Sequence, residues 1–299
     1  MAFFLALCAR YSIFPVQIDF VMAYVQTPMK ERVLVKFPAR FAPHLPANIR
    51  KYFGTTLLLK KALYGYQYSG RFLWEDQSAF LSSEGLQSLL SMPSLWVKHL
   101  PNNGIHIILQ YSDDFLSACT SHDHHNAFRQ SMESRFDVEW QPRADWYLQA
   151  RIQQDKHGNI YLDQQRYSKS IVKRYLPQAS LVPTEEDKLK FASPLPSTMV
   201  FRPSDCSTDI SQVKALEFKY GFRPIEAIAS LNFLSNTAFE ELFAIRKLCQ
   251  CMSMPGDIHF QALLHLLHHL HCHPPNALCY YKDVTTSPLY GLLHSANLL

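Results

Sequence analysis

The chain has 299 residues, 47% of them hydrophobic and 18% charged, which is enough apolar material for a sizeable core and excludes a disordered or collagen-like chain. Nine glycines leave no room for a Gly-rich phosphate loop, and neither Gly-x-Gly-x-x-Gly nor the P-loop pattern occurs, which argues against dinucleotide enzymes and P-loop NTPases. The net charge of +4 is uneven: in residues 1–71 ten Lys/Arg stand against Asp19 and Glu31, a net +8, and the other 228 residues sum to −4, so the front of the chain suits a polyanionic partner or is an ordinary basic face.

In chain order, the apolar start from Met1 to Cys8 meets Arg10 directly and reads as a helix cut at its start, too short and without the basic flank of a secretory signal. Val16–Phe20, Leu57–Lys61, Ser94–Lys98 and Ile105–Tyr111 are apolar runs of strand length. The spacing over Arg71–Glu84 predicts a helix, with Phe72, Leu73, Phe80 and Leu81 on one face and Glu75, Asp76 and Gln77 outward. Phe115–Cys119 follows Ile105–Tyr111 as the second strand of a hairpin, with Asp113 and Asp114 in the turn. Ser121–Phe136 is a helix with Ser121 as N-cap. Trp146–Gln153 and Asn159–Leu162 form a second hairpin around His157-Gly158, and a helix follows from Gln165 to about Tyr175. Five prolines between Pro177 and Ser211 mark a linker. Beyond it, helices are expected at Val213–Tyr220, Pro224–Leu234, Phe239–Cys251 and His259–Cys272. Seven cysteines at irregular spacings fit a reducing compartment better than a disulfide framework. No run approaches the roughly 18 apolar residues of a membrane span.

The residues that carry chemistry are Tyr111-Ser112-Asp113-Asp114, at the tip of an apolar hairpin. A solvated acidic turn is the simplest reading of two adjacent carboxylates. Asp19 sharpens it, because it closes the strand Val16-Gln17-Ile18. If these strands are neighbours, three carboxylates converge and repel one another unless divalent cations neutralise them, and Mg²⁺ prefers such hard oxygen donors. Two such ions can clamp the attacking and leaving oxygens of a phosphoryl displacement.

Gln17-Ile18-Asp19-Phe20-Val21-Met22-Ala23-Tyr24, Lys61-Ala62-Leu63-Tyr64-Gly65, Pro93-Ser94-Leu95-Trp96-Val97 and Tyr111-Ser112-Asp113-Asp114 occur in that order. They are followed by Tyr147-Leu148, Ile160-Tyr161-Leu162-Asp163-Gln164 and Ser193-Pro194-Leu195-Pro196. In sequence and spacing these blocks resemble the reverse transcriptases of copia-type LTR retrotransposons, and a weaker likeness runs on through the helices to Tyr281. The resemblance implies an α+β fold: a reverse-transcriptase palm with partial fingers over residues 1–178, its mixed or antiparallel sheet packed on helices. A Pro-rich linker over 179–211 and a small helical thumb- or connection-like region over 212–299 would follow, without an RNase H domain.

The activity implied is RNA-directed DNA polymerisation, nucleotidyl transfer to a primer 3′-hydroxyl with two Mg²⁺ or Mn²⁺ ions. Asp19, Asp113 and Asp114 would be the catalytic, metal-binding triad, and the Phe20 carbonyl a further metal ligand. Tyr24 would lie under the incoming sugar, with a core aromatic as its simpler reading. Arg71 would lie near the nucleotide, and Lys60 and Lys61 near the nucleic acid, with solvated surface charge the alternative for all three. The partners implied are an RNA/DNA template–primer, deoxynucleotides and the rest of a Pol polyprotein, in a cytoplasmic or nuclear setting and with no membrane.

Departures from the family pattern are Gln67-Tyr68, Gly70 before Arg71, Gln149 after Leu148, and Ala238-Phe239-Glu240-Glu241. The upstream fingers, protease, integrase and coat segments are expected to be absent. These departures fit an alternative, a catalytically inactive, truncated remnant that at most binds nucleic acid through residues 1–71. A third reading is a metal-binding module on residues 249–273. There Cys249 and Cys251 precede His265/His269 and His268/Cys272, pairs at i,i+4 on a helix. No standard finger spacing is present, so a buried helix with an exposed His-rich stripe is the competing expectation. His122, His124 and His125 read as a solvated helix start, and Cys8, Cys119, Cys206 and Cys279 as small apolar residues.

Overall fold

The alternating burial at the end of Val16–Phe20, with Ile18 and Phe20 inward and Asp19 on the opposite face, gives this interior strand its two faces. The computed structural model describes residues 1–283 apart from 37–42, 45, 51, 53, 179–181 and 197. The chain divides into two compact units, Met1–Ala144 (with residues 281–283 grouped to it) and Asp145–Tyr280.

The first unit begins with α1 (Ala2–Tyr11), whose Phe4, Leu5, Cys8 and Ala9 are buried. There follow β1 (Val16–Phe20), α2 (Ala23–Gln26), β2 (Leu34–Lys36), α3 (Ala47–Arg50), β3 (Thr56–Leu58) and α4 (Ser69–Ser83). Then come β4 (Gln87–Leu89), β5 (Met92–Leu100), β6 (Gly104–Tyr111), β7 (Asp114–Cys119), α5 (His122–Arg135) and β8 (Val138–Gln141). Among the described residues six strands form one sheet in the order β4-β5-β6-β7-β1-β8, with every pairing antiparallel. Ile18, Phe20, Trp96, Ile108 and Phe115 meet Leu73 and Leu81 of α4 and Phe128 and Met132 of α5 in a single core. Each fully buried Leu, Ile or Phe there contributes about 1.5–3 kcal/mol. Ser121 caps α5 as expected, its hydroxyl accepting from the His124 amide. The expected strand at Leu57–Lys61 is shorter: β3 pairs with β2, and Lys61 makes an isolated bridge to Pro28.

Two expectations here are corrected: Gln77, expected to point outward from α4, is buried, and the helix start at His122–His125 is only partly solvated. His125 is turned inward, its Nε2 2.9 Å from the Ser117 hydroxyl and its ring edge-on to Trp140. The acceptor and aromatic neighbours on the sheet outweigh solvation of this helix start.

The second unit contains β9 (Trp146–Tyr147), β10 (Ala150–Gln154), β11 (Ile160–Asp163), α6 (Gln165–Tyr175) and α7 (Glu185–Lys190). After these come α8 (Ile210–Tyr220), α9 (Pro224–Leu234), α10 (Leu242–Cys251), α11 (Asp257–Cys272) and β12 (Leu278–Tyr280). The strands run in the order β12-β11-β10-β9. Ile171, Val172 and Tyr175 of α6 share one core with Ile228, Leu231, Ile245, Leu248, Leu263 and Leu267. That shared core lies within the second unit, which begins at Asp145. Helix α8 starts before Val213 because the Asp209 carboxylate accepts from the amides of Ser211 and Gln212.

The linker expected over 179–211 is, where described, a packed segment; residues 179–181 and 197 lie outside the described residues. Leu195, Met199 and Phe201 pack on the helical core, and α7 carries a Thr184–Asp187 capping box. The histidines of α11 explain the docking. His265, His269 and His273 recur every fourth residue, and their ring nitrogens donate to the carbonyls of Ser193 (3.0 Å), Phe191 (2.7 Å) and Lys188 (3.0 Å). The stripe expected to be exposed thus holds main chain, and the i,i+4 pairing of His265 and His269 serves carbonyls. In the region expected to be helical, β12 pairs with β11, and residues 284–299 lie outside the described residues.

Candidate active site

Strand β1 lies between β7 and β8, and its register sets Asp19 directly opposite Asp114 on one side and Glu139 on the other. Opposed residues of antiparallel strands project to the same face. A row of three carboxylates therefore crosses three strands, on the face away from the Ile18–Phe20 core. Asp113 belongs to the turn beside this row. Tyr111 pairs with Asp114, so the two-residue turn is Ser112-Asp113, and Asp114 opens β7 instead of lying in the turn as expected. The Phe20 amide donates to the Asp113 carbonyl at 2.9 Å, which fastens the turn to β1.

The turn is held from behind by a buried polar chain. Ser112 has φ of 51°, and its carbonyl accepts from the Gln77 side-chain amide at 3.0 Å. Gln77 Oε1 accepts from Gln110 Nε2 (3.0 Å), and Gln110 Oε1 accepts from the Trp96 indole (2.9 Å). All three side chains are buried, so each amide needs its partner.

Burial raises the Asp19 carboxyl above its ordinary value, and Asp114, Asp113 and Glu139 add to the shift in that order. Asp114 is raised mainly by burial and also by Asp113, against the opposing hydrogen bond from Gln17 Nε2 at 3.2 Å. These are hard oxygen donors held together against mutual repulsion, the donor set that Mg²⁺ or Mn²⁺ takes. The residues present fit such ions.

The remaining expected residues flank this row in the chain path. Phe20 packs its ring against Phe115 (4.9 Å) and Phe136 (5.2 Å). Tyr24 lies on α2, half-buried and edge-on to Tyr64 at 4.7 Å. Lys61 donates to the Gln26 carbonyl at 2.6 Å, and Met29 and Lys60 share a main-chain hydrogen bond; both lysines are exposed at the exit from α2. Arg71 sits in the first turn of α4 and donates to Glu75 at 2.7 Å, with Lys30 on the other oxygen of the same carboxylate. The structure thus gathers Asp19, Phe20, Asp113 and Asp114, links Tyr24 and Lys61 through α2, and engages Arg71 with Glu75. Glu139, Gln17 and Gln77 are additions. The alternation of Val138-Glu139-Trp140-Gln141 was a legible strand signal, whereas nothing in the sequence singles out Gln77.

The chain that carries this carboxylate row is matched at the level of family. Residues 1–182 fit the family model described as reverse transcriptase (RNA-dependent DNA polymerase), and the chain belongs to that family. Among curated proteins it is similar to two from Arabidopsis thaliana, the retrovirus-related Pol polyproteins from transposons RE2 and RE1. It is 23% and 24% identical to them over 272 and 274 residues, 91% of this chain in each case. The chain spans 17% of the length of each. The family generally uses divalent metal ions, and no helix among the described residues is long and apolar enough to cross a membrane.

Proposed function

We propose that this chain is an RNA-directed DNA polymerase domain of a copia-type retrotransposon Pol polyprotein, with residues 1–178 as palm and partial fingers and the helices after residue 212 as a thumb- or connection-like region. The observation that carries the reading is the register of Asp19 against Asp114 with Asp113 in the adjoining turn. Asp19, Asp113 and Asp114 would hold two Mg²⁺ or Mn²⁺ ions, with the Phe20 carbonyl as a further ligand. The ions supply charge neutralisation for the attacking 3′-hydroxyl and the departing pyrophosphate. The chain's own contribution is positional. The Phe20–Asp113 hydrogen bond and the Gln77 clamp hold the carboxylates, Tyr24 supports the deoxyribose, and Lys60, Lys61 and Arg71 meet phosphates of template–primer and nucleotide. For Arg71 this requires exchange of Glu75 for phosphate.

The test is primer extension on an RNA template with a DNA primer and Mg²⁺ or Mn²⁺, comparing the chain with Asp113→Asn. Extension by the unchanged chain and its loss in the variant are expected. A second reading, an inactive domain that still binds nucleic acid, is favoured by Gln149, a non-glycine residue at φ of 64° where the family pattern has glycine. It predicts extension by neither protein and salt-sensitive gel shifts by both.

A further inference from the structure

We propose that Cys206 and Cys251 form a redox-sensitive thiol pair, which a peroxide oxidises to a reversible disulfide. Cys206 lies in the segment before α8 and Cys251 is the last residue of α10. Both are free thiols. Their sulfurs lie within 4.8 Å of each other, and the two side chains are hydrogen-bonded. Both stand at element ends, where side-chain rotation and a small main-chain shift can bring them to a bonding distance of about 2.05 Å.

The main chain holds Cys206 against the end of α10. Ser207 donates its amide to the Met254 carbonyl (3.0 Å) and its hydroxyl to the Pro255 carbonyl (2.8 Å). Gly256 has no side chain where the main chain of Asp205 crosses; a Cβ there would lie 1.9 Å from the Asp205 carbonyl oxygen. The 205–207 segment is therefore pressed against the α10–α11 turn. The two thiols meet at an effective concentration that a thiol of another molecule does not reach.

The surroundings divide the roles. Cys206 lines an open hollow of about 370 Å³ with Gln212, Leu216 and Asp257, room for a small oxidant. Among the described residues Cys251 does not line it, and burial, then the neighbouring Cys206, raises the Cys251 thiol above its ordinary value. Cys206 is thus the attacking sulfur, more than the small apolar residue expected, and Cys251 the resolving one. The His259 ring is buried, with one nitrogen within 4.8 Å of both sulfurs. Its Nδ1 accepts from the Gly256 amide at 2.9 Å, so the neutral ring carries its proton on Nε2. That N–H has no acceptor in the described structure, and a thiolate formed beside it supplies one.

In the first step the Cys206 thiol gives its proton to solvent and the thiolate attacks a peroxide oxygen. The S–O bond forms as the O–O bond breaks, hydroxide leaves and is protonated to water, and Cys206 becomes a sulfenic acid. The Cys251 sulfur then attacks the Cys206 sulfur. The S–S bond forms as the S–O bond breaks, and the departing hydroxide takes the Cys251 proton as a second water. Two thiols are oxidised and one peroxide is reduced. Exchange with a small dithiol reverses the bond. A single reversible pair of this kind is compatible with the reducing setting that the cysteine spacing implies. Closed, it ties both ends of the stretch that carries α8, α9 and α10.

The experiment treats the full, reduced chain with a few equivalents of hydrogen peroxide and caps the remaining thiols with N-ethylmaleimide. Peptide mapping without reductant should recover Cys206 and Cys251 in one cross-linked species, lighter than the separate peptides by two hydrogens, with Cys249 capped. Dithiothreitol should restore both thiols, and the oxidised chain should unfold several degrees above the reduced one. In Cys251→Ser the Cys206 sulfenic acid lacks its resolving thiol and should be trapped by dimedone. The mapping needs no variant, so it stands even if Cys251→Ser misfolds. Recovery of both cysteines capped after peroxide overturns the proposal. So does a cross-link from either of them to a different cysteine or to a second chain.

Discussion

Asp19 stands opposite Glu139 as well as opposite Asp114, so β1 carries its carboxylate between two others on one face of the sheet. Like charges set directly across a strand pair repel, and the raised Asp19 carboxyl registers that repulsion together with burial. A carboxyl whose folded value is raised ionises first in the unfolded chain. Its penalty is absent at low pH, grows as pH rises past the ordinary carboxylate range, and is complete above the folded value. Glu139→Gln should therefore stabilise the metal-free protein at neutral pH by a few tenths to about 1 kcal/mol. The gain should shrink as pH falls through the carboxylate range, and also in high salt because Glu139 is exposed. Urea unfolding of both proteins at neutral and acidic pH, in low and high salt, checks all three directions.

Gln77 should matter more than its distance from any charge implies. It bridges the Ser112 carbonyl and Gln110, and Gln77→Leu removes a partner from both, leaving buried Gln110 Nε2 with only a long 3.5 Å contact to the Trp74 carbonyl. A loss of about 1–3 kcal/mol in stability is expected. The Ser112-Asp113 turn should loosen as well, so that Mn²⁺ raises the melting temperature of Gln77→Leu by less than it raises that of the unchanged chain. Differential scanning fluorimetry with and without Mn²⁺ separates the two effects.

Part of the fold was legible because the end of Val16–Phe20 alternates and Ser121 caps α5. Val16–Phe20 and Gln165–Tyr175 coincide with the expected elements, and Asp19 and Asp113-Asp114 come together through strand adjacency. What could not be read is tertiary. Glu139 joins the row only because β8 pairs with β1, and polar Gln77 is drawn inward by a carbonyl that a turn 35 residues later presents. The composition of the Pro-rich stretch predicts a linker, whereas His265, His269 and His273 hold its carbonyls and Phe201 docks on the core. Cys206 is 45 residues from Cys251, and their meeting depends on a glycine at position 256 that sequence spacing does not reveal.

The β9–β10 turn offers a gain of stability. Leu148 and Gln149 are the two residues between the paired Tyr147 and Ala150, and both have positive φ, 48° and 64°. Two-residue hairpin turns with this backbone favour Asn-Gly because side chains with a Cβ are strained there. Gln149 is exposed, so its replacement removes little packing. Gln149→Gly should raise stability by about 1 kcal/mol, seen as a higher melting temperature. It also restores the glycine of the family pattern. Primer extension that increases in Gln149→Gly would support the polymerase reading, while a stability gain alone would make the turn purely structural.

His106 predicts how the first unit fails in acid. Its ring is fully buried, edge-on to Phe128 at 4.7 Å, with Nε2 3.0 Å from the Ser117 hydroxyl. Lys98 on β5 and His124 and His125 on α5 face it with positive or protonatable groups, and burial, then His125, His124 and Lys98, lower its value to about 2. The unfolded chain takes up this proton near the ordinary histidine value, and the folded chain does not. Stability from neutral His106 is therefore present above about pH 6.5 and lost as pH falls below it, by about 1.4 kcal/mol per unit once well below that value. His125, lowered to about 4 by burial and its neighbours, steepens the same limb. His106→Phe fills the site with a ring of similar shape and leaves the Ser117 hydroxyl paired with His125. Its unfolding free energy, followed by urea titration between pH 7 and 5, should fall with a shallower slope than that of the unchanged chain. Equal slopes would mean that His106 already binds its proton in the folded state.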